Sequence, residues 1–248
     1  VQTFTATVQA GGLFSVSVPA ALVEGGFTVA ASGTDAAGNT ATASDSGVID
    51  ITAPTITGDV PALTNDTTPP LTGTTNLPAG STVTLVVTGA DGAAQTFSAT
   101  VQAGGTFSVD VPAALVQGNF SVTATATDAA GNSASASDSG VIDTTPPIAS
   151  ITIDPVTADN IVNAGEATGN ITITGTVGGD VQVGDTVTLN VNGVNYTGLV
   201  LAGNTFAIAV PGAGVLADSD RRIDGTVTTT DAAGNSATAT AQRPYAVN

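Results

Sequence analysis

The chain of 248 residues has room for two or three ordinary domains, and a hydrophobic content of 42% with 4% aromatic residues and no Trp describes a folded protein with cores of small side chains. A net charge of −17, with Arg221, Arg222 and Arg243 as the only basic residues, argues against binding to nucleic acid or to anionic lipid. The absence of Cys, His and Lys removes disulfides, thiolate metal sites and most general bases and nucleophiles, so no enzyme is expected.

In chain order, residues 1–50 can be laid over residues 94–143 without a gap, and 38 of the 50 positions are identical at an offset of 93. A more divergent third copy follows: "TDAAGNSATATA" from Thr230 answers "TDAAGNSASASD" from Thr127, and "DTTPP" from Asp143 answers "DITAP" from Asp50. A period of this length matches one Ig-like domain rather than a solenoid repeat. The reading is therefore three units: residues 1–50, the C-terminal part of a repeat; residues 51–143, a complete repeat; and residues 144–248, a divergent repeat.

Unit two predicts strands near 54–59, 70–75, 82–88, 95–102, 106–111, 119–127 and 133–142, with no helical period. In "SVTATAT" Val122, Ala124 and Ala126 share one face and Thr123, Thr125 and Thr127 the other, the alternation of a half-buried antiparallel strand. Unit three repeats it with Ile171 and Ile173, and with Val187, Leu189 and Val191 before an Asn192-Gly193 hairpin turn, for which Asp91-Gly92 is the equivalent in unit two. The fold class is all-β: tandem Ig-like antiparallel sandwiches in an elongated array. Residues 1–50 supply only the last four strands of a unit, so an exposed inner face is expected there, covered by a longer array or by another chain. No apolar run approaches the roughly 18 residues of a spanning helix, and no direct membrane insertion is expected.

"DAAGN" occurs three times, at Asp35, Asp128 and Asp231. As turn chemistry, Asp caps the loop through the backbone while Gly and Asn tolerate positive φ. A second reading adds the neighbours, because strand alternation places the loop at the end of its domain that faces the preceding one. Asp128 then approaches Asp50, Asp231 approaches Asp143, and the loop after the second strand brings Asn76 in unit two and Asp180 in unit three. Carboxylates about 5 Å apart repel by roughly 3 kcal/mol at an effective dielectric near 20, so such a seam calls for a hard cation, and Ca2+ takes six to eight oxygens. Both readings stand at this point. At the opposite end, "DPVTADNIVNAGEA" offers Asp154, Asp159, Asn160, Asn163 and Glu166 in one loop, either a second ion site or a polar loop. Unit two has Asn65 and Asp66 there, placed to reach the Asp143 junction. In "DSDRRIDG", Arg221 and Arg222 are expected to pair with Asp218, Asp220 or Asp224.

These residues resemble the bacterial Ig-like extender repeats of giant biofilm-associated and RTX-type surface adhesins, through "DITAP" and "DTTPP" at unit starts, "TDAAGN" before the last strand, and "DNIVNAGEA" with "ITITGTV" in unit three. The resemblance implies a Ca2+-rigidified stalk, exported by a type I system and held at a Gram-negative outer membrane, with junction ligands at Asp50 with Asp128 and Asp143 with Asp231. Unit two departs from the pattern by lacking the long loop. The partners implied are neighbouring repeats of the same chain; the alternative is a glycan- or protein-binding Ig-like module, and the adhesive target is not written in these residues.

Overall fold

Strictly alternating small apolar and hydroxyl side chains cannot bury a helical stripe, but they cover one face of a sheet, and the chain folds accordingly. A computed structural model describes residues 1–248. Residues 1–50 contribute one hairpin, β1 (Gly25–Thr34) and β2 (Thr40–Ile49). The next stretch forms β3 (Leu63–Thr64), β4 (Pro70–Thr74), β5 (Thr82–Thr88), β6 (Ala94–Thr100), β7 (Thr106–Asp110), β8 (Gly118–Thr127) and β9 (Ser133–Ile142).

A five-stranded sheet in the order β3-β9-β8-β5-β6 faces the β4-β7 pair. Residues near 54–59 run beside β4 through bridges at Ile56 and Asp59 rather than as a full strand. The short β3 pairs in parallel with the end of β9, a two-residue contact too brief to leave an alternation in the sequence. Phe107, Leu71, Leu85, Val83 and Val87 interlock between the sheets, all almost fully buried. The pale core works because Phe107 and Phe120 lie over Gly73 and Gly140: a Cβ on either glycine would stand within 3 Å of the ring.

Residues 149–247 repeat the plan with β10 (Ala149–Ile153), β11 (Ile161–Val162), β12 (Asn170–Gly179), β13 (Thr186–Val191), β14 (Val194–Leu199), β15 (Thr205–Pro211), β16 (Arg222–Thr230), β17 (Ser236–Pro244) and β18 (Ala246–Val247). The sheet β14-β13-β16-β17 faces β10-β12-β15 around a second, separate core that includes Phe206, Ile173, Leu189 and Ile223. Asn192 and Gly193 close the β13-β14 hairpin with φ of 50° and 76°, as a two-residue turn of the I′ kind requires. The Asp91-Gly92 turn is different from the expectation: it lies in a five-residue connection closed by the Gly89 N–H to the Ala93 carbonyl. Unit three departs locally from pure strand, since α1 (Gly212–Ala217) and a 3-10 turn at Glu166–Thr168 fill one end of this sandwich. Six residues are barely one and a half turns, too few for a 3.6-residue period to show.

Candidate metal centre at the domain seams

The "DAAGN" loop is built around its own carboxylate. Asp128 Oδ1 accepts the N–H groups of Ala130 (2.9 Å) and Asn132 (2.9 Å), and Oδ2 accepts the Asn132 side-chain amide (3.0 Å). Asp231 repeats this with Ala233 (2.9 Å) and Asn235 (2.9 Å for both bonds), and Asp35 with Ala37 and Asn39. Gly38, Gly131 and Gly234 take φ of 91°, 95° and 98°, a conformation costly for any residue with a Cβ. The Asn side-chain bond is the leading cause that holds Asp35, Asp128 and Asp231 below the usual carboxylate pKa, because hydrogen bonds to the charged form favour it.

The loops do reach the preceding unit, through asparagine. Asn132 donates its side-chain amide to the Asp50 backbone carbonyl at 3.1 Å, and Asn235 donates to the Asp143 carbonyl at 2.8 Å. At the second seam the Asn65 N–H also donates to the Ala233 carbonyl (3.1 Å), which brings the loop at 65–66 to the junction. The Asp50 and Asp143 carboxylates cap their own linkers, accepting the N–H of Thr52 and Thr145 at 3.0 Å. Asp66 likewise accepts the Thr68 N–H (2.8 Å).

Asn76 and Asp180 occupy equivalent places. Asn76 Oδ1 accepts the Thr55 N–H at 2.8 Å, and Asp180 Oδ2 accepts the Ile148 N–H at 2.7 Å, each clamping the first extended segment of its unit. A neutral amide oxygen suffices for this clamp in unit two, so the charge of Asp180 is surplus to it. Asp143, Asp180 and Asp231 line one open cleft of about 450 Å³, together with Gln182 and Thr229 and no basic residue. They line it without converging: no three carboxylates stand close enough to share an ion.

At the far end of unit three the five oxygen-bearing residues are spent on separate local structures. Asp154 Oδ2 accepts the Thr174 hydroxyl (2.7 Å). Asp159 accepts the Ile161 N–H and the Thr157 hydroxyl, which lower its pKa in that order. Asn160, at φ 59°, takes the Val156 N–H and donates to the Pro244 carbonyl, tying the loop to the segment before β18. Asn163 and Glu166 exchange backbone N–H bonds at 3.0 Å, a reciprocal cap of the 3-10 turn that the spacing Asn-x-x-Glu announces in the sequence. Of the two adjacent arginines only Arg222 pairs, with Asp224 (3.1 Å) and Asp220 (3.5 Å). Arg221 instead adopts φ 52°, and its carbonyl accepts the Tyr245 N–H.

Residues 44–144 match the profile of the bacterial Ig-like domain. Among solved structures, the chain is similar at 33% identity and a TM-score of 0.63 to a Ca2+-stabilised adhesin that helps an Antarctic bacterium reach out and bind ice, over 90% of this chain and 57% of that one. It is similar at 29% identity and a TM-score of 0.57 to a 1.5-MDa bacterial ice-binding adhesin described for host cell surface retention, over 91% of this chain and 75% of that one. A bacterial immunoglobulin-like domain of the M. primoryensis ice-binding adhesin shares 37% identity over 42% of this chain and 99% of its own length, with a TM-score of 0.38. The chain thus spans little more than half of the first of these. No curated protein matches it.

Proposed function

Because the chain belongs to the bacterial Ig-like domain family, we propose that it is an extender segment of a bacterial cell-surface adhesin, a stalk whose units set distance and whose seams are stiffened by Ca2+. The role is structural: each sandwich adds length, and a seam that resists bending keeps that length projected. In this reading its partners are the neighbouring Ig-like repeats, and the whole protein is exported and tethered at an outer membrane.

The observation that carries the calcium reading is the cleft of the second seam, whose walls carry Asp143, Asp180 and Asp231 with no cation side chain among them. An all-oxygen, net-negative donor set is the chemistry that a hard divalent ion selects, and extracellular modules hold Ca2+ with Kd about 10⁻⁴ to 10⁻³ M. A bound ion would supply charge neutralisation, and Asp143, Asp180 and Asp231 are the residues that would hold it. At the first seam the corresponding donors are Asp50, Asp128 and Asn76, one carboxylate fewer, so the second seam is the stronger candidate. Asp66 and the far-end residues Asp154, Asp159, Asn160, Asn163 and Glu166 are kept as weaker candidates, because none of them lines the seam cleft.

Small-angle scattering and calorimetry of the whole chain, with Ca2+ and after chelation by EGTA, test this. A straighter particle with a higher Tm in calcium is expected. Identical scattering profiles and melting curves in the two conditions refute the ion at the seams.

A further inference from the structure

We propose that the free edge of β14 in unit three is a contact surface for a second copy of this chain, the two copies joined by antiparallel pairing of β14 with β14. The inference depends neither on calcium nor on the stalk reading. β14 ends its sheet, and no other strand pairs with its outer side. The two-residue turn at Asn192 and Gly193 makes Val191 and Val194 a bonded pair. At the other end of the strand Val200 accepts the Gly184 N–H and donates to the Asp185 carbonyl, both at 2.9 Å. Alternation then turns the N–H and C=O groups of Val194, Tyr196 and Gly198 towards β13, and those of Asn195, Thr197 and Leu199 away from it.

The homologous edge of unit two, β6, is guarded. Residues 95–112 align with 194–211 at a constant offset of 99, anchored by "GGTFSVDVP" and "GNTFAIAVP". Gln102 folds its side-chain amide back onto the Thr100 carbonyl at 3.1 Å, an outward group of that edge because Val101 is bonded inward to Gly80 and Ser81. Gln95 is tied to Ala113, whose N–H it accepts at 3.0 Å and to whose carbonyl it donates at 2.9 Å. Unit three has lost both glutamines. Val194 and Leu201 stand in their places and Leu199 replaces Thr100, and the three side chains are 50%, 48% and 57% exposed. An edge of six residues in unbroken register, without charge or proline and with apolar side chains along it, has none of the devices that keep strands from pairing.

Charge selects the occupant. The chain carries a net charge of −17, yet residues 186–217 contain no charged residue at all. Two copies repel one another elsewhere but not along this edge, whereas a basic partner would be drawn to the acidic surfaces instead. The edge is also complementary to itself. About a two-fold axis at Thr197, Asn195 of each copy faces Leu199 of the other, and the outward residues exchange their N–H and C=O groups with identical ones. Such a contact runs the two chains in opposite directions. In the stalk reading, on which only this consequence rests, that is how stalks from two facing surfaces meet.

Sedimentation velocity and residue-resolved hydrogen exchange of the whole chain in EGTA test this. A reversible dimer is expected to grow in between about 10 µM and about 1 mM, the range of a small transient interface. It should tighten at least about threefold from about 0.05 M to about 0.5 M NaCl, because salt screens the repulsion and leaves the neutral pairing. Amides of Asn195, Thr197 and Leu199 should slow at high concentration, and those of Tyr196 and Gly198 should not change. Val194→Gln with Leu201→Gln restores the guards of unit two, and Thr197→Glu sets two carboxylates at the axis; each change should weaken the dimer at least about tenfold. Conversely, Gln95→Val with Thr100→Leu and Gln102→Leu strips the guards from β6 and should give particles larger than a dimer. The proposal is overturned if the chain stays monomeric to about 1 mM, if a dimer survives the β14 changes and is lost with Phe14→Ser, or if the outward amides exchange equally fast at both concentrations.

Discussion

The side-chain amide of Asn235 donates to the backbone carbonyl of Asp143 at 2.8 Å, joining residues 92 apart in the chain across the seam between two sandwiches. Asn132 does the same to Asp50. The last letter of the "DAAGN" loop is thus the one that touches the neighbouring unit, while its first letter organises the loop.

Asn132→Ala and Asn235→Ala should each increase bending at their own seam, read as a shorter maximum dimension in scattering, with Tm within about 3 °C of the parent because neither residue is in a core. Asn235→Asp should resemble Asn235→Ala, since a carboxylate cannot donate the bond to Asp143.

Asp180→Asn separates the two tasks of that residue. The amide oxygen should keep the Ile148 clamp, as Asn76 keeps the Thr55 clamp, so the metal-free Tm should not move. Calcium affinity, measured by titration calorimetry, should fall about tenfold with the loss of one charged donor.

The loop carboxylates give the seams a pH dependence of known sign. Hydrogen bonds from Asn132 and Asn235 hold the folded-state pKa values of Asp128 and Asp231 below the ordinary aspartate value, so the stability they contribute is present above that value and is lost as pH falls through the lowered one. Metal-free Tm and interdomain bending should therefore not vary with pH through these loops between about pH 8 and 5, where their contribution is fully present, and the loops should loosen below about pH 4. Asp128→Asn with Asp231→Asn should remove that acid-side loss.

Gly175→Ala should destabilise unit three by about 1–3 kcal/mol, because overpacking at a fixed contact forces displacement. Its Cβ would meet the Thr152 carbonyl oxygen and the Phe206 ring, one on each side. Chemical denaturation should show a lower midpoint for unit three with the unit-two transition unmoved.

The sequence by itself determined the all-β class, most of the strands, the 93-residue offset and the end of each sandwich to which the "DAAGN" loop points. Period-2 alternation and strand parity carry that information locally, so "SVTATAT" needs no partner to be read as β8. It also showed that Asn65 and Asp66 lie where a junction could be reached, and the Asn65 N–H meets Ala233. Only the tertiary structure decided which atom of each linker residue meets the loop: the carbonyl of Asp143 rather than its carboxylate, which turns back to Thr145. It alone revealed that Asn76 and Asp180 clamp backbone N–H groups, that Asp159, Asn160 and the Asn163–Glu166 pair each close a different piece of one loop, and that the two-residue strands β3 and β11 close the sandwich edges in parallel. Composition tells how many oxygens a loop owns, but the direction of a side chain depends on donors brought close by residues dozens of positions away, and those proximities exist only once the sheets have packed.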